Sequence, residues 1–271
     1  MALVSVLLLI AGLIVMASAV VTLSAAQRRA AQRAEEADAR KVVLDAALRV
    51  ATAEIAFPKP DGPFWYPRQP RILDIAGQRV EVVLEREAGR IDLNTAADQY
   101  LVAGLVVSGM DEASARHAAA RIRDWTDADD EPRPQGAERA AYAEAGLRHE
   151  PRNGPFESLE ELRQVLGLEA LSDEALETFT VYSQGAAPST ADAVEPVRDA
   201  LAWLDPASAT AGAATTLAVP GVADALGSVS YAGAVVRLRA CIADEARRRC
   251  RQVIQRFTGG SKMPALVLAW R

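Results

Sequence analysis

The sequence predicts an α+β protein in which a long N-terminal helix packs on an antiparallel sheet and a large α-helical domain is inserted between the strands. Three observations lead to this class. Residues 24–56 contain neither glycine nor proline and are rich in alanine, arginine and glutamate. Strand-like alternation occurs twice, near residues 72–84 and again after residue 228. The residues between these two regions form a series of short segments with helix-capping signals at their ends.

Composition and charge exclude several classes of protein. The chain has 271 residues, of which 50% are hydrophobic and 24% charged, so it can form a packed core. Its formal net charge is −6, without the basic excess of a nucleic-acid-binding protein, so no nucleic acid partner is expected. Two cysteines and two histidines leave little room for a zinc site or for thiol chemistry.

The first 26 residues carry no charged side chain, and the first charge along the chain is Arg28. At about 1.5 Å per residue, a helix of this length crosses a hydrocarbon core of roughly 30 Å, so residues 1–26 are predicted to be a transmembrane segment. The alternative, a cleavable secretory signal, requires a basic start and a shorter apolar run. Arg28, Arg29 and Arg33 follow the span, and the positive-inside tendency alone would place them in the cytoplasm.

The helical pattern continues beyond the span, and residues 27–57 are predicted to be the second part of the same helix. Apolar side chains recur there at steps of three and four residues, which forms a single stripe that packs on a soluble head. The stripe consists of Val43, Ala47, Val50, Ala51 and Ile55.

A β domain is predicted from two separate segments, 58–92 and 228–271. The proline-rich residues 58–70 end the helix. Two β-rich runs then flank Gly77, which indicates a hairpin. In the second segment, a hairpin centred between residues 245 and 246 would place Cys241 opposite Cys250, within reach of a disulfide.

The inserted α-helical domain is predicted over residues 93–183. Its helices begin at capping signals: Thr95 with Asp98, then Asp111, then Ser158 with Glu161, and finally Ser172. Residues 184–227 are small and polar around a short apolar piece at 197–204, which is typical of a linker or loop.

The loop DWTDADDEPRPQGAE, residues 124–138, concentrates carboxylates after a predicted helix. Counted from Asp127, charged residues occupy positions one, three, five and twelve of an EF-hand, but Pro132 stands at position six, where the turn requires glycine. An ordinary EF-hand is therefore excluded. Two interpretations remain open: a calcium site of different geometry, which would relieve the repulsion between the carboxylates, and a solvated acidic loop.

A nucleic-acid function is the alternative that the helical block raises. Its short helices resemble helix-hairpin-helix modules, some of which bind the DNA backbone, so a membrane-anchored DNA-binding protein is the second hypothesis. The hairpin SGMDE, however, lies among acidic residues that repel phosphate. No nucleophile-elbow, P-loop or dinucleotide motif occurs in the sequence, so we do not expect an enzyme.

The N-terminal string MALVSVLLLIAGLIVM resembles the mature start of type IV pilin-like proteins. GRIDLNTA, DWTDADDEPRPQGAE and PRNGPFESLEELRQVLGL resemble the K-type minor pseudopilin of the bacterial type II secretion system. The resemblance implies a pilin-like fold and a non-enzymatic subunit at the tip of the periplasmic pseudopilus. Such a subunit helps initiate pseudopilus assembly and export folded proteins across the outer membrane.

The resemblance also implies maturation, location and partners. A prepilin peptidase would remove a basic leader and methylate Met1, leaving a single-pass inner-membrane protein with a periplasmic head. Ser5 stands where most pilins have glutamate, which fits a place at the tip. The expected partners are the I- and J-type minor pseudopilins, which would contact the N-terminal helix along the stripe at residues 43–55.

A structural calcium ion is the cofactor that the resemblance implies for the inserted domain. Carried onto this sequence, its ligand candidates are Asp124, Asp127, Asp129, Asp130 and Glu138. A periplasmic head would also suit a disulfide between Cys241 and Cys250, because that compartment is oxidising.

Overall fold

The computed structural model describes residues 2–59, 62, 64–206, 231–243 and 248–271. In this part of the chain the α-helices are α1 (Ala2–Ala56), α2 (Asp98–Val107), α3 (Glu112–Thr126), α4 (Arg139–Glu144), α5 (Asp173–Leu176) and α6 (Glu195–Leu204). The strands are β1 (Arg71–Ile75), β2 (Gln78–Arg86), β3 (Ile91–Asp92), β4 (Phe179–Thr180), β5 (Val235–Ala243), β6 (Arg248–Phe257) and β7 (Ala265–Trp270). Two 3-10 helices span Glu87–Gly89 and Leu159–Gln164.

Helix α1 packs on one face of a five-stranded antiparallel sheet of order β1-β2-β5-β6-β7. The predicted α+β class, with a long N-terminal helix on an antiparallel sheet, is confirmed. The packing stripe on α1 is also confirmed, because Ala47, Ala51 and Ile55 are buried in a core shared with β2, β5 and β6. Burial of these side chains stabilises the contact between helix and sheet.

The same burial corrects the expected partner contact. Ala47, Ala51 and Ile55 contact the chain's own sheet, and Val43 packs partly against that core, so these four cannot also face a partner helix. Only Val50 of the predicted set is exposed, at 38%. In the described residues, no helix combines the length and the apolar character that crossing a membrane requires. The side chains of residues 1–11 and 13–15, which belong to the predicted span, lie outside the described part.

The two predicted hairpins are present. The β1–β2 turn places Ala76 at φ 53° and Gly77 at φ 76°, the left-handed pair that a two-residue hairpin needs, and Asp74 Oδ1 accepts a hydrogen bond from the Gly77 amide. In the β5–β6 pair, Cys241 lies directly opposite Cys250, with 4.1 Å between the Cα atoms, and a disulfide joins them. The tip of that second hairpin, residues 244–247, lies outside the described residues.

An α-helical domain lies between β2 and β5 in the chain and has its own buried core, which extends beyond β4 to α6. Within it, β3 and β4 form a short parallel pair. The linker predicted over residues 184–227 is wrong at residues 195–204. They form α6 instead, and Val197 and Ala200 are buried in the core of the inserted domain.

Local capping signals had mixed outcomes. Asp111 caps α3 by accepting a hydrogen bond from the Ser114 amide, and Ser158 forms a capping box with Glu161. The prediction that Thr95 and Asp98 form a capping box is wrong, because α2 begins after Ala97 and the Thr95 hydroxyl donates to the Gly185 carbonyl. Thr95 is therefore used to hold the loop that leaves the domain.

A buried ionic network joins the inserted domain to the sheet. Arg237 on β5 donates from Nε to Glu87 Oε1 at 2.7 Å and from Nη1 to Glu177 Oε2 at 2.7 Å. Arg90 donates to Glu85 and Glu177. Burial alone would raise the pKa of Glu87, but Arg237 and Arg90 outweigh it and hold that pKa below its usual value.

Candidate functional site

The acidic loop connects α3 to α4 and is fixed at both ends by helices. Asp124 lies in the last turn of α3, Asp127 is the residue that ends that helix, and Glu138 immediately precedes α4. The helices hold these ends in place through their aromatic residues. Trp125 stacks on Phe156 with 5.9 Å between ring centroids and contacts Tyr142 of α4 at 6.1 Å.

Asp124 lies at the buried centre of the loop. Both of its carboxylate oxygens accept hydrogen bonds from the Arg133 amide at 3.3 Å. A side chain at Gly136 would overlap Asp124 Oδ2, so glycine permits the backbone to approach the carboxylate this closely. Burial raises the pKa of Asp124, and the negative charge of Asp127 raises it further. Hydrogen bonds from the Arg133 and Ala137 amides act in the opposite direction.

Arg133 supplies positive charge to the loop. Its guanidinium lies 3.0 Å from Asp127 Oδ2 and 3.4 Å from Asp124 Oδ1. The side chain is about half exposed, so these pairs are screened by solvent and are worth little individually. Asp127 Oδ1, on the other side of the same carboxylate, is buried and has no hydrogen-bond partner.

Glu138 is the most strongly perturbed group of the loop. It is only 4% exposed, and neither of its carboxylate oxygens has a hydrogen-bond partner. Burial, together with the negative charges of Asp124 and Asp127, raises the pKa of Glu138 to about 7. A buried carboxylate without partners is costly unless it is protonated or neutralised by a cation.

Asp129 and Asp130 lie on the exposed rim. Asp129 Oδ1 accepts a hydrogen bond from the Glu131 amide at 3.0 Å, which shapes the local turn. Asp130 Oδ1 accepts from Asn153 Nδ2 at 2.9 Å. The structure therefore brings Asp124, Asp127 and Glu138 together and places the other two predicted residues at the rim, with side-chain oxygens already hydrogen-bonded.

Asn153 belongs to this site and was not predicted from the sequence. It adopts a left-handed conformation at φ 52°, and its Nδ2 also donates to the Asp129 carbonyl at 3.3 Å. Its Oδ1 is buried and has no partner. The Asn-Gly pair at 153–154 was a turn signal in the sequence, but nothing local connected it to a loop some twenty residues earlier.

The loop's chemistry suits a hard cation. Asp127, Glu138 and Asn153 contribute buried oxygens that lack partners, and oxygen is the ligand that calcium prefers. Within the described ranges, however, no group of three or more histidine, cysteine, aspartate or glutamate side chains is arranged to hold a metal ion. The residues thus fit calcium in ligand type and in unsatisfied charge, while the structure shows no assembled ligand shell.

The remaining predicted sites lie elsewhere. Met1 is outside the described residues. The α2–α3 hairpin, on which the DNA-binding alternative rested, carries Asp111 and Glu112, and the nearby Arg116 is paired with Glu112. The charge of this hairpin therefore does not favour binding of the DNA phosphates.

Comparison with known proteins supports the family assignment. Residues 85–183 match the family model described as type II secretion system (T2SS), protein K. No curated protein sequence matches the chain. The fold is similar to a chain in the crystal structure of the GspK–GspI–GspJ complex from the enterotoxigenic Escherichia coli type 2 secretion system, with a TM-score of 0.59 and 16% identity, covering 90% of this chain and 98% of that chain. The matched residues 85–183 contain the motifs on which the resemblance to the K-type pseudopilins was based, and the fold is similar to that of a chain in a GspK–GspI–GspJ complex.

Proposed function

We propose that this protein is a minor pseudopilin of a type II secretion system that assembles with I- and J-type pseudopilins at the tip of a periplasmic pseudopilus. The observation that carries the proposal is the match of residues 85–183 to the protein K family. The fold likeness to a chain of the GspK–GspI–GspJ complex is consistent with it. In this role the chain is a structural subunit that helps initiate the pseudopilus and export folded proteins, and it catalyses nothing.

The surface of α1 that faces away from the sheet is suited to a partner helix. Val42, Val50 and Phe57 are exposed at 67%, 38% and 52%, and Ala46 and Ala53 fall between them at steps of four and three residues. Such spacing forms one straight apolar stripe along a helix. Val50, Ala53 and Phe57 also line a groove of about 360 Å³ that a partner side chain could enter.

Co-purification with the partners tests this role. The full chain is co-expressed with the I- and J-type pseudopilins, as wild type and as Val50→Glu, and the complex is isolated through a tag on one partner. We expect Val50→Glu to recover much less complex, because a charge would be buried in an apolar contact. Ile72→Glu, at an equally apolar exposed position on β1, is the matched control.

Recovery of the complex at the wild-type level with Val50→Glu would contradict the α1 contact. Unimpaired secretion of type II substrates after deletion of the gene would contradict the role itself.

The proposal includes an inner-membrane anchor at residues 1–26 and a head in the periplasm. It rests on the charge-free N-terminal run and on its resemblance to processed pilins. A prepilin peptidase would leave Met1 as the methylated first residue. Mass spectrometry of the N-terminal peptide from the native membrane fraction tests this, and an unmethylated Met1 would refute it.

We further propose that calcium stabilises the acidic loop. Asp124, Asp127 and Glu138 would hold the ion, and its charge would offset both the burial and the carboxylate repulsion that raise the pKa of Glu138. Calorimetry of the full chain with calcium tests this against Asp127→Ala. Heat of binding that is the same in both proteins, or absent in both, would rule out the site.

A further inference from the structure

The last strand, β7, forms one edge of the five-stranded sheet. In the part of the chain that the structure describes, β7 pairs with β6 alone. At one end of this pairing the Thr258 amide donates to the Pro264 carbonyl at 3.0 Å. At the other end the Arg271 amide donates to the Gln252 carbonyl at 2.9 Å. The strand is therefore held in place at both ends.

The pairing with β6 determines which backbone groups of β7 point outward. Residues of an antiparallel pair alternate between positions that bond to the neighbouring strand and positions that do not. Arg271 bonds to β6, so Trp270 does not. Counted from Pro264 at the other end, Val267 is also a position that does not bond, and Leu268 is the extra residue of a bulge between the two. The amide and carbonyl groups of Val267 and Trp270 therefore point to the open edge.

The side chains along this edge are apolar. Residues 263–270, MPALVLAW, contain no charged side chain. Four of them are exposed, namely Met263, Leu266, Val267 and Trp270. Proteins usually protect a sheet edge with charged residues or proline, and the opposite edge, β1, contains Arg71 and Asp74 and follows Pro70. The apolar β7 edge lacks charge of this kind, which favours pairing with another strand.

The β7 edge borders the surface of α1. The Arg251 guanidinium lies over the Trp270 ring, 5.9 Å from its centroid, and forms an ion pair with Asp45 of α1 at 2.7 Å. A partner subunit that packs on α1 would therefore lie beside β7, and one subunit can contact both surfaces.

We propose that β7 binds an extended, uncharged strand of one pseudopilin partner, so that the sheet continues across the contact between the subunits. The inference rests on the proposed function, which supplies the partner. Outward amide and carbonyl groups are satisfied in series by an extended backbone, and the uncharged edge favours apolar side chains on that strand. The bulge at Leu268 interrupts the regular edge, so the added strand is short.

Co-purification of the full chain with the I- and J-type pseudopilins tests the inference through two substitutions at Val267. Val267→Lys places a charge in the contact. Val267→Pro removes an outward amide that β6 does not use, and proline is tolerated at such edge positions. We expect each variant to melt like wild type when isolated and to recover about tenfold less complex. Ile72→Lys on β1, where the side chain is 51% exposed like that of Val267, is the matched control and should recover the wild-type amount.

Hydrogen exchange of the wild-type chain gives an independent measurement. The Val267 and Trp270 amides should exchange rapidly in the isolated chain and about tenfold or more slowly in the complex. Unchanged exchange on complex formation would overturn the inference. Slow exchange already in the isolated chain would overturn it as well, because another part of the chain or a second copy would then cover the edge.

The outcomes separate this inference from the proposed function. If wild type forms no complex with the two partners, the proposed function fails and the inference fails with it. If both Val267 variants recover the wild-type amount of complex while Val50→Glu does not, the proposed function stands and the β7 contact is refuted.

Discussion

Replacement of Glu138 by glutamine isolates the electrostatic cost of the acidic loop. The neutral, nearly isosteric side chain removes the charge and keeps the packing. The pKa of Glu138 is raised from 4.5 to about 7. At about 1.4 kcal/mol per pKa unit, the ionised carboxylate lowers the free energy of unfolding by up to about 3 kcal/mol.

The direction of the pH dependence follows from proton binding. Between pH 4.5 and about 7 the folded protein retains a proton on Glu138 that the unfolded chain has lost. Stability therefore falls as pH rises through this interval, and the full penalty is present above pH 7. Without calcium, Glu138→Gln should be more stable than wild type at pH 8, and the two proteins should be similarly stable at pH 4.5.

Calcium should cancel most of this difference at pH 8. Bound calcium favours the ionised carboxylate, and a ligand at about 100 times its dissociation constant adds roughly 2.7 kcal/mol to wild type. Glu138→Gln should lose most of that increment.

Urea unfolding in chelator and in calcium, at pH 4.5 and pH 8, measures all four conditions. Glu144→Gln, which changes the exposed last residue of α4, is the control and should behave like wild type. A Glu138→Gln variant that is less stable than wild type in chelator at pH 8 would refute the reasoning.

Four further predictions concern stability in urea. Arg237→Met should lower the free energy of unfolding by about 3–5 kcal/mol because it leaves buried Glu87 without its closest cation. Adding Glu87→Gln to this variant should restore much of the lost stability. An Arg237→Met variant as stable as wild type would contradict this prediction. Because the pKa of Glu87 is lowered, its contribution to stability is present above pH 4.5 and should disappear as pH falls further. Gly136→Ala should cost about 1–3 kcal/mol since the new methyl overlaps fully buried Asp124, whereas Gly154→Ala meets nothing closer than 3.9 Å and serves as its control. Reduction of the β5–β6 disulfide should lower the free energy of unfolding by about 2–4 kcal/mol, and identical curves with and without reductant would argue against it.

Features governed by neighbouring residues could be predicted from the sequence. Asp111 caps α3 through an amide three residues away, and Gly77 permits the left-handed turn between β1 and β2. The pairing of Cys241 with Cys250 followed from the symmetry of a single hairpin. In each case the deciding contact spans only a few residues, so the pattern in the sequence contains it.

Features that depend on long-range packing could not be predicted in this way. The periodicity of α1 located a stripe, but it could not decide whether the chain's own sheet or a partner covers it. Asn153 contacts Asp130 across 23 positions, and no local pattern connects the two. The apolar piece at 197–204 is short and lies between segments rich in small and polar residues, so the sequence pattern places it in a linker, while the burial of α6 depends on packing against α2.

The ionic network around Arg237 has a consequence for how the protein unfolds. The described part of the chain contains two separate hydrophobic cores with no residue in common, one in the inserted domain and one between α1 and the sheet. Two such cores would ordinarily melt as independent units. Arg237 belongs to the sheet, Glu177 to the inserted domain, and their partly buried contact is lost if either unit opens alone. The network thus makes the melting of each core depend on the other, so the head should unfold in one cooperative transition.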